Sequence, residues 1–319
     1  MISNPVYKVE TYTNEYYNLW NSFVERTNST TFLFHRDFMQ YHASRFQDFS
    51  LLVFKNDVLI SILPANKVDD KVYSHQGLTY GGLFTYKEIT KEELKSAIKI
   101  VVSFLRQSEI NAIVIKEIPR IYSKDRGVIW DILKENNYAQ EISSQKLLCV
   151  DYQDFKIHKT KLKHYRRALK NGLEIRLENS FSSFWNDVLI PRLKNRYNAT
   201  PVHTLGEIEY LYSLFPKNIL QYNAYLDEQI VAGITIFDKG DVVKSQYGAT
   251  TDLGEETYAM DFLFVHLVNL FKERRKCFFS MGTVTDSSDL GYNPGLLKQK
   301  MEFGCKEFSF QYFEIKLND

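Results

Sequence analysis

The sequence predicts an α/β protein made of two related domains. Three observations carry this reading: a length of 319 residues, against roughly 150 per domain; strand-like and helix-like apolar patterns in alternation; and a second half that repeats the first at an offset of 171 positions. With 44% hydrophobic and 15% aromatic residues, the chain has material for sizeable cores and does not read as disordered. Its 40 Lys+Arg against 39 Asp+Glu leave a net charge of +1. That balance argues against a surface devoted as a whole to nucleic acid.

Apolar residues at helical spacing predict a helix over 14–27, through Tyr16, Leu19, Trp20, Phe23 and Val24. A second helix is expected over 36–46, with Phe38, Tyr41 and Phe46 inward. The period then changes to that of strands over 50–54 and 58–65, joined at Asn56 and Asp57, with a third over 71–76. Residues 90–107 read as an amphipathic helix, Leu94, Ile98, Val101 and Leu105 sharing a face and Thr90 capping it ahead of Glu93. A strand over 112–116, a helix over 128–136 and a strand over 146–150 complete the half.

The second half repeats this order. Residues 224–234, turning at Glu228, match 53–63, turning at Asp57, and Ser-Gln-Tyr-Gly at 245–248 matches Ser-His-Gln-Gly at 74–77. A helix over 257–272, a strand over 276–280, a helix over 294–303 and a strand over 307–316 follow. Agreement in element order, turn position and strand end predicts a duplicated fold.

Between the halves, residues 156–170 carry seven Lys or Arg and no acid. Leu162, Tyr165 and Leu169 recur there at helical spacing, and Asn171-Gly172 reads as the C-cap. Such a run is either a solvated helix face or an anion site beside the junction. Cys149, Cys277 and Cys305 form no CxxC pair, so reduced thiols in a cytoplasmic protein are expected rather than disulfides or zinc. The N-terminus has no leader-like pattern, and the apolar run 262–271 is too short to span a bilayer.

No P-loop, GxGxxG, HExxH, GxSxG or kinase motif is present. Four polar stretches at strand ends and loops stand out instead. Residues 74–82 offer His75 as a general base, with Gln76 and Tyr80 as hydrogen-bonding groups; satisfying local backbone is the plainer role for this histidine. Residues 192–204 read as a loop presenting Tyr197 and His203, while Thr204 and Glu207 form a capping box. Residues 245–251 lead into a helix N-terminus suited to an anion such as pyrophosphate. Asp261, beyond it, reads as a buried acid or as the partner of a basic side chain. In the fourth stretch Asn293 caps a helix beginning at Pro294, and Lys298 and Lys300 lie on different faces of it.

The stretches FLFH (32–35), SHQGLTYGG (74–82), RRALKNGLEIR (166–176), PVHT (201–204), SQYGAT (245–250) and GYNPGLLKQK (291–300), with Phe303-Gly304, carry a family likeness. Together they resemble the tandem GNAT-fold acyltransferases related to Fem-type aminoacyl transferases, most of all the bacterial sugar N-acyltransferases. The resemblance implies two GNAT-like domains, 1–155 and 156–319, each a mixed, mostly antiparallel sheet flanked by helices, with a cleft between them. It implies an acyl-CoA-type thioester donor, no metal, small-molecule substrates and no nucleic-acid partner. The implied acceptor is the amine of a nucleotide-linked amino sugar, such as a dTDP-3-amino-3,6-dideoxyhexose, used for surface polysaccharide.

On that reading His75 and His203 are the candidate bases, with Asp261 behind them, and Tyr247 with strand-end N–H groups steadies the oxyanion. Lys163, Arg166 and Arg167 would meet phosphates, Gln76, Tyr80, Tyr197 and Asn293 the sugar, and Lys298 is a further substrate-binding candidate. Residues 246–249 match the GNAT pyrophosphate loop only approximately. The stretch 179–218 lacks the heptads of the helical arm that some Fem-type enzymes use for tRNA. The alternatives are an aminoacyl-tRNA-dependent transferase acting on a peptidoglycan precursor, and a non-catalytic nucleotide-sugar-binding module.

Overall fold

A computed structural model describes residues 5–27, 29–86, 88–123, 129, 132–133, 139–286 and 288–317. The expected helix over 128–136 falls almost wholly outside them. The chain divides into two compact units, Met1–Gln145 with Ser309–Asp319, and Lys146–Phe308. A single cut at 155/156 does not describe this division, because the last strand returns to the first unit.

In the first unit, β1 (Tyr7–Thr11) pairs with β3 (Leu51–Lys55), β3 with β4 (Val58–Leu63), and β4 with β7 (Phe84–Thr85), all antiparallel. A second run joins β2 (Gln47–Asp48), β5 (Asn66–Val68), β6 (Lys71–Tyr73) and β8 (Ala112–Lys116), in which β6 and β8 are parallel. Residues 312–316, in the far end of β15 (Cys305–Lys316), add to β8 antiparallel. Two short helices, α1 (Tyr17–Arg26) and α2 (Arg36–Gln40), precede the strands. The long helix α3 (Lys91–Gln107) buries the expected Leu94, Ile98, Val101 and Leu105 in a core shared with Leu51, Val53, Ile113 and Ile315. Its N-terminus carries the Thr90–Glu93 capping box.

The second unit is a sheet ordered β10 (Glu174–Glu178), β11 (Ile219–Leu226), β12 (Gln229–Lys239), β13 (Val242–Thr250), β14 (Phe278–Thr283) and the end of β9 (Ala139–Asp151). Every pairing in it is antiparallel except β13 with β14. The basic helix α4 (Lys159–Lys170) packs with α8 (Ala259–Glu273) on one face. A wide helical turn over Phe184–Leu189 lies against the other and leads into α5 (Ile190–Tyr197). Helices α6 (Leu205–Leu214), α7 (Asp252–Glu256) and α9 (Pro294–Glu302) complete the unit.

Local geometry supports the duplication seen in sequence. Asn56 and Asp57 turn at φ 47° and 64°, and Asp227 and Glu228, 171 positions later, take the same two values; positive φ at both central residues marks a type I′ hairpin. The register shift between Val53 and Phe54 recurs between Ala224 and Tyr225. The three parallel pairs of residues 71–73 in β6 recur at residues 242–244 in β13.

Four expected elements are corrected. The helix over 36–46 stops at Gln40 and resumes only as a tight turn over Ala43–Arg45; Tyr41 stacks on His42 at 4.3 Å, a neighbour contact that a continuing helix does not offer. The strand over 71–76 ends at Tyr73 because His75 turns the chain at φ 58°. The helix over 257–272 is interrupted at Tyr258, φ 62°, which separates α7 from α8. The first part of the expected 192–204 loop is helical, ending at Asn198 in the left-handed region. Strands β1 and β10 carry no sequence expectation.

Gly254 holds α7 against the sheet: a Cβ there would sit 2.2 Å from both Thr250 Oγ1 and the Val231 carbonyl. Gly254→Ala is expected to cost about 1–3 kcal/mol, seen as a lower denaturant midpoint with an unchanged slope.

Candidate functional site

The parallel strands β13 and β14 stay together for three pairs, ending at Lys244 and Ser280, and both then continue. The reason for the parting lies in β13. Ser245 faces Ile236 and Tyr247 faces Thr235, so Gln246 is an extra residue opposite β12. Such a bulge bends its strand and increases the local twist. Beyond it, among the described residues, β13 pairs with β12 alone, while β14 goes on to pair with β9 at Thr283. Lys300 donates to the carbonyls of Met281 (2.6 Å) and Thr283 (2.8 Å), and Ser245 Oγ donates to that of Ser280 at 3.4 Å. Burial pulls the Lys300 ammonium down to about 8. The Gln246 Oε1 is buried without a hydrogen-bond partner.

Alternation along β13 assigns its side chains to opposite faces. A Cβ on Gly248 would lie 3.6 Å from Met260 of α8, whereas the Tyr247 ring meets Trp185, centroids 5.2 Å apart, on the other face. The Tyr247 hydroxyl accepts the backbone N–H of His203 at 3.1 Å and shares a short hydrogen bond with His203 Nδ1. Trp185 Nε1 donates to the His203 carbonyl at 3.2 Å. His203 is 4% exposed, so its ring is held by protein on most sides.

Asp261 lies on the α8 face, away from that pair. Its carboxylate accepts from Lys161 Nζ at 3.0 and 3.1 Å and meets His164 Nδ1 at 2.6 Å. Tyr258 stacks on His164 at 4.1 Å, and Arg167 reaches the Tyr258 hydroxyl at 3.3 Å. The expected partner of Asp261 is therefore Lys161, one of the seven cations of the basic run; His164 was not legible as a candidate among them.

The turn after β13 does not suit the expected pyrophosphate. Thr251 Oγ1 accepts the Gly254 N–H, which caps α7, and the first turn bears Asp252 and Glu255. Both acids are paired: Asp252 with Arg192 at 3.0 Å, Glu255 with Arg192 and Arg196. Arg192 and Arg196 are thereby engaged by carboxylates, which compete with a further anion for them.

In the first unit, residues 74–82 fill the place corresponding to the parting of β13 and β14. Ser74 accepts the Lys116 N–H at 2.8 Å, Gly81 donates to the Lys116 carbonyl at 3.1 Å, and Lys116 Nζ donates to that of Leu78 at 2.8 Å. His75 is 4% exposed, 5.0 Å from the His42 ring, and its Nδ1 has no partner. Burial, then repulsion from His42, lowers it to about 3, which makes it a weak base near neutrality. Tyr80 is a core residue: fully buried, stacked on Tyr122 at 4.4 Å and donating to the Ser29 carbonyl. Gln76 is locked to Asn66 by two reciprocal hydrogen bonds of 2.8 and 2.9 Å. No sugar-binding role is visible in Tyr80.

The remaining expected contacts are dispersed. Lys163 and Arg166 are exposed on α4, and Tyr197 is 67% exposed at the end of α5. Asn293 Oδ1 accepts the Leu296 N–H at 2.9 Å, as an N-cap does. Lys298 is exposed and lines an open groove of about 600 Å³, where Lys156, His158 and Lys159 join it. The proposed site residues thus occupy four places, of which only Tyr247 and His203 touch each other among the four catalytic candidates.

No family model matches the chain, and no curated protein matches it. Solved structures do. FemX is 12% identical over 95% of this chain and 96% of its own, with a TM-score of 0.67. L-PGS from Bacillus licheniformis is 15% identical over 81% and 82%, with a TM-score of 0.55. A tandem GNAT protein from the clavulanic acid biosynthesis pathway is 7% identical over 98% and 99%, with a TM-score of 0.53. At these identities the likeness establishes a Fem/GNAT-type fold, with mixed sheets flanked by helices. Among the described residues no helix is long and apolar enough to cross a membrane.

Two outcomes follow from the buried groups. The unfolded chain takes up a proton at His75 near pH 6.5, the folded chain only near pH 3, so stability falls as pH is lowered between these values. The slope from this group approaches about 1.4 kcal/mol per pH unit, and His75→Asn, which tolerates the left-handed backbone, is expected to flatten it in denaturant titrations. Asp261→Asn leaves the Lys161 ammonium buried without its carboxylate. It is expected to cost about 3 kcal/mol by the same measurement, and Lys161→Met in the same chain to restore most of the loss.

Proposed function

We propose that this protein is an N-acyltransferase that moves an acyl group from an acyl-CoA-type thioester to an amine, the finer reading being the amine of a nucleotide-linked amino sugar. The observation that carries the proposal is the parting of β13 and β14 after the Gln246 bulge, in a chain of Fem/GNAT-type fold. Past the bulge, one edge of β13 is free of strand pairing among the described residues, and an extended amide-bearing donor can pair with such an edge as an added strand. The N–H groups of that edge then stand where a thioester carbonyl becomes an oxyanion, the position at which fixed donors lower the barrier most.

The reaction needs few parts. The amine nitrogen attacks the thioester carbon, the C–N bond forms, the C–S bond breaks, and the thiolate leaves to be protonated as the free thiol. The amine loses one proton on the way. His203, coupled through its Nδ1 to the Tyr247 hydroxyl, is the base assigned here, with Tyr247 next to the bulge as the group nearest the reacting edge. His75 is set aside by its depressed basicity, and Asp261 by its engagement with Lys161 and His164 on the opposite face.

The test follows thiol release from acyl-CoAs of several chain lengths against a panel of nucleotide-linked amino sugars. Release that requires both substrates is expected, with His203→Ala and Tyr247→Phe each lowering kcat about 10²-fold while the folded state is retained. No release from any acyl-CoA, with transfer appearing only on addition of aminoacyl-tRNA, would falsify the thioester reading.

A further inference from the structure

The groove between the start of α4 and the outer side of α9 belongs to no part of the reaction just described. Its cationic lining comes from Lys156 and Lys159 on one wall and Lys298 on the other, with His158 between the first two in sequence. All four side chains are exposed, and among the described residues no ion pair takes up Lys159 or Lys298. Among the described residues the one acid in the lining, Glu302, stands 3.7 Å from the buried Lys161 ammonium, so its charge is partly spent inside the protein. The groove therefore presents a clear excess of positive charge, in a protein whose net charge is only +1.

Its walls are fixed to each other. The His158 N–H donates to the Glu302 carbonyl at 2.8 Å. Gly304, at φ 92°, brings the chain so close to Lys156 that a Cβ would lie 3.1 Å from the Lys156 carbonyl oxygen. A groove stitched in this way keeps its shape without a ligand, which limits the ordering cost of binding.

The lining also has an apolar side. Leu297 and Met301 face the same space as the lysines, and Met301 is 54% exposed. A thioether beside cations suits a flat aromatic group attached to phosphates, since methionine packs well on ring edges and lysine binds phosphate as a point charge. The volume, about 600 Å³, falls within the range of small-molecule sites. A bare inorganic anion would use the lysines and leave the apolar side unused.

We propose that this groove binds the nucleoside diphosphate portion of a substrate, its phosphates on Lys156, Lys159 and Lys298 and its base against Leu297 and Met301. Two substrates of the proposed reaction carry that chemistry, the coenzyme of the donor and the nucleotide of the acceptor. At the turn of Asp252 and Glu255, where a GNAT-type loop would otherwise be sought, Arg192 and Arg196 are tied to those acids, whereas the groove offers lysines that no ion pair among the described residues takes up. Which substrate docks here rests on the acyl-transfer reading; that a nucleotide docks here does not.

Calorimetric titration of the full chain, with no acyl transfer taking place, separates the two. The probes are dTDP, free coenzyme A and inorganic pyrophosphate, at low and at moderate salt. One of the two nucleotides is expected to bind at least tenfold more tightly than pyrophosphate, with affinity falling as salt rises. Lys159→Gln with Lys298→Gln, both exposed positions, is expected to weaken that nucleotide at least tenfold with an unchanged melting temperature. Met301→Ala, which leaves the charge of the groove unchanged, is expected to weaken the nucleotide more than pyrophosphate. Preference for dTDP assigns the groove to the acceptor, and preference for coenzyme A assigns it to the donor. Equal binding of pyrophosphate and nucleotides, unchanged affinity in the double variant, or no nucleotide binding to the parent chain up to millimolar concentration would each overturn the proposal, whether or not acyl transfer is found.

Discussion

Two parallel strands that part after three residue pairs are the constraint on which the second unit is arranged. Backbone N–H and C=O groups that leave a sheet must find other partners, and each solution seen here follows from that requirement. In the first unit the chain itself supplies them: residues 74–82 return to the end of β8, and Ser74, Gly81 and the Lys116 ammonium close the gap. In the second unit the Gln246 bulge swings β13 away, Lys300 takes two carbonyls of β14, and among the described residues no strand pairs with that edge of β13. The same duplicated geometry is thus closed by its own chain in one copy and by a lysine side chain in the other. His75 and Gln246 occupy equivalent positions 171 residues apart, and both carry a buried polar atom without a partner.

Charge is organised by the same division of labour. The basic run does not act as one patch. Lys161 turns inward to Asp261, which also holds His164, while Lys163, Arg166 and Lys170 face solvent and Lys156 and Lys159 face the groove. A buried lysine held by a carboxylate and flanked by Glu302 is costly to desolvate and costly to break, so this network ties α4 to α8 more through the penalty of its loss than through net attraction. At α7, Asp252 and Glu255 are matched by Arg192 and Arg196, whereas Lys298 on α9 is exposed and, among the described residues, in no ion pair.

Capping boxes at Thr90 and Thr204, the caps at Asn293 and Asn171, the buried face of α3 and the strand–turn–strand repeat were all legible in the sequence. Each depends on residues within a few positions of one another, and local chemistry decides them. What was missed depended on partners far along the chain. Tyr80 looked like a ligand-binding tyrosine because its neighbours are glycines, yet Tyr122 and Phe34 enclose it. His164 was hidden inside a run of lysines and arginines, since nothing nearby in sequence reveals Asp261 beside it. His75 has the residue type of a base but not the surroundings, as burial and His42 hold it neutral.

By itself the sequence determined the α/β class, the duplication and most helix ends, because hydrophobic period, turn chemistry and capping are short-range properties. Only the tertiary structure decided which polar residues meet. Strand alternation puts Tyr247 and His203 on one face of the sheet and Asp261 on the other, and β15 carries the end of the chain back into the first unit. Those outcomes turn on one bulged residue, Gln246, and on strand pairings between residues as far apart as Ala112 and Lys316. No local pattern encodes either of them, since a bulge is defined by the strand opposite and a pairing by the whole chain that brings its two sides together.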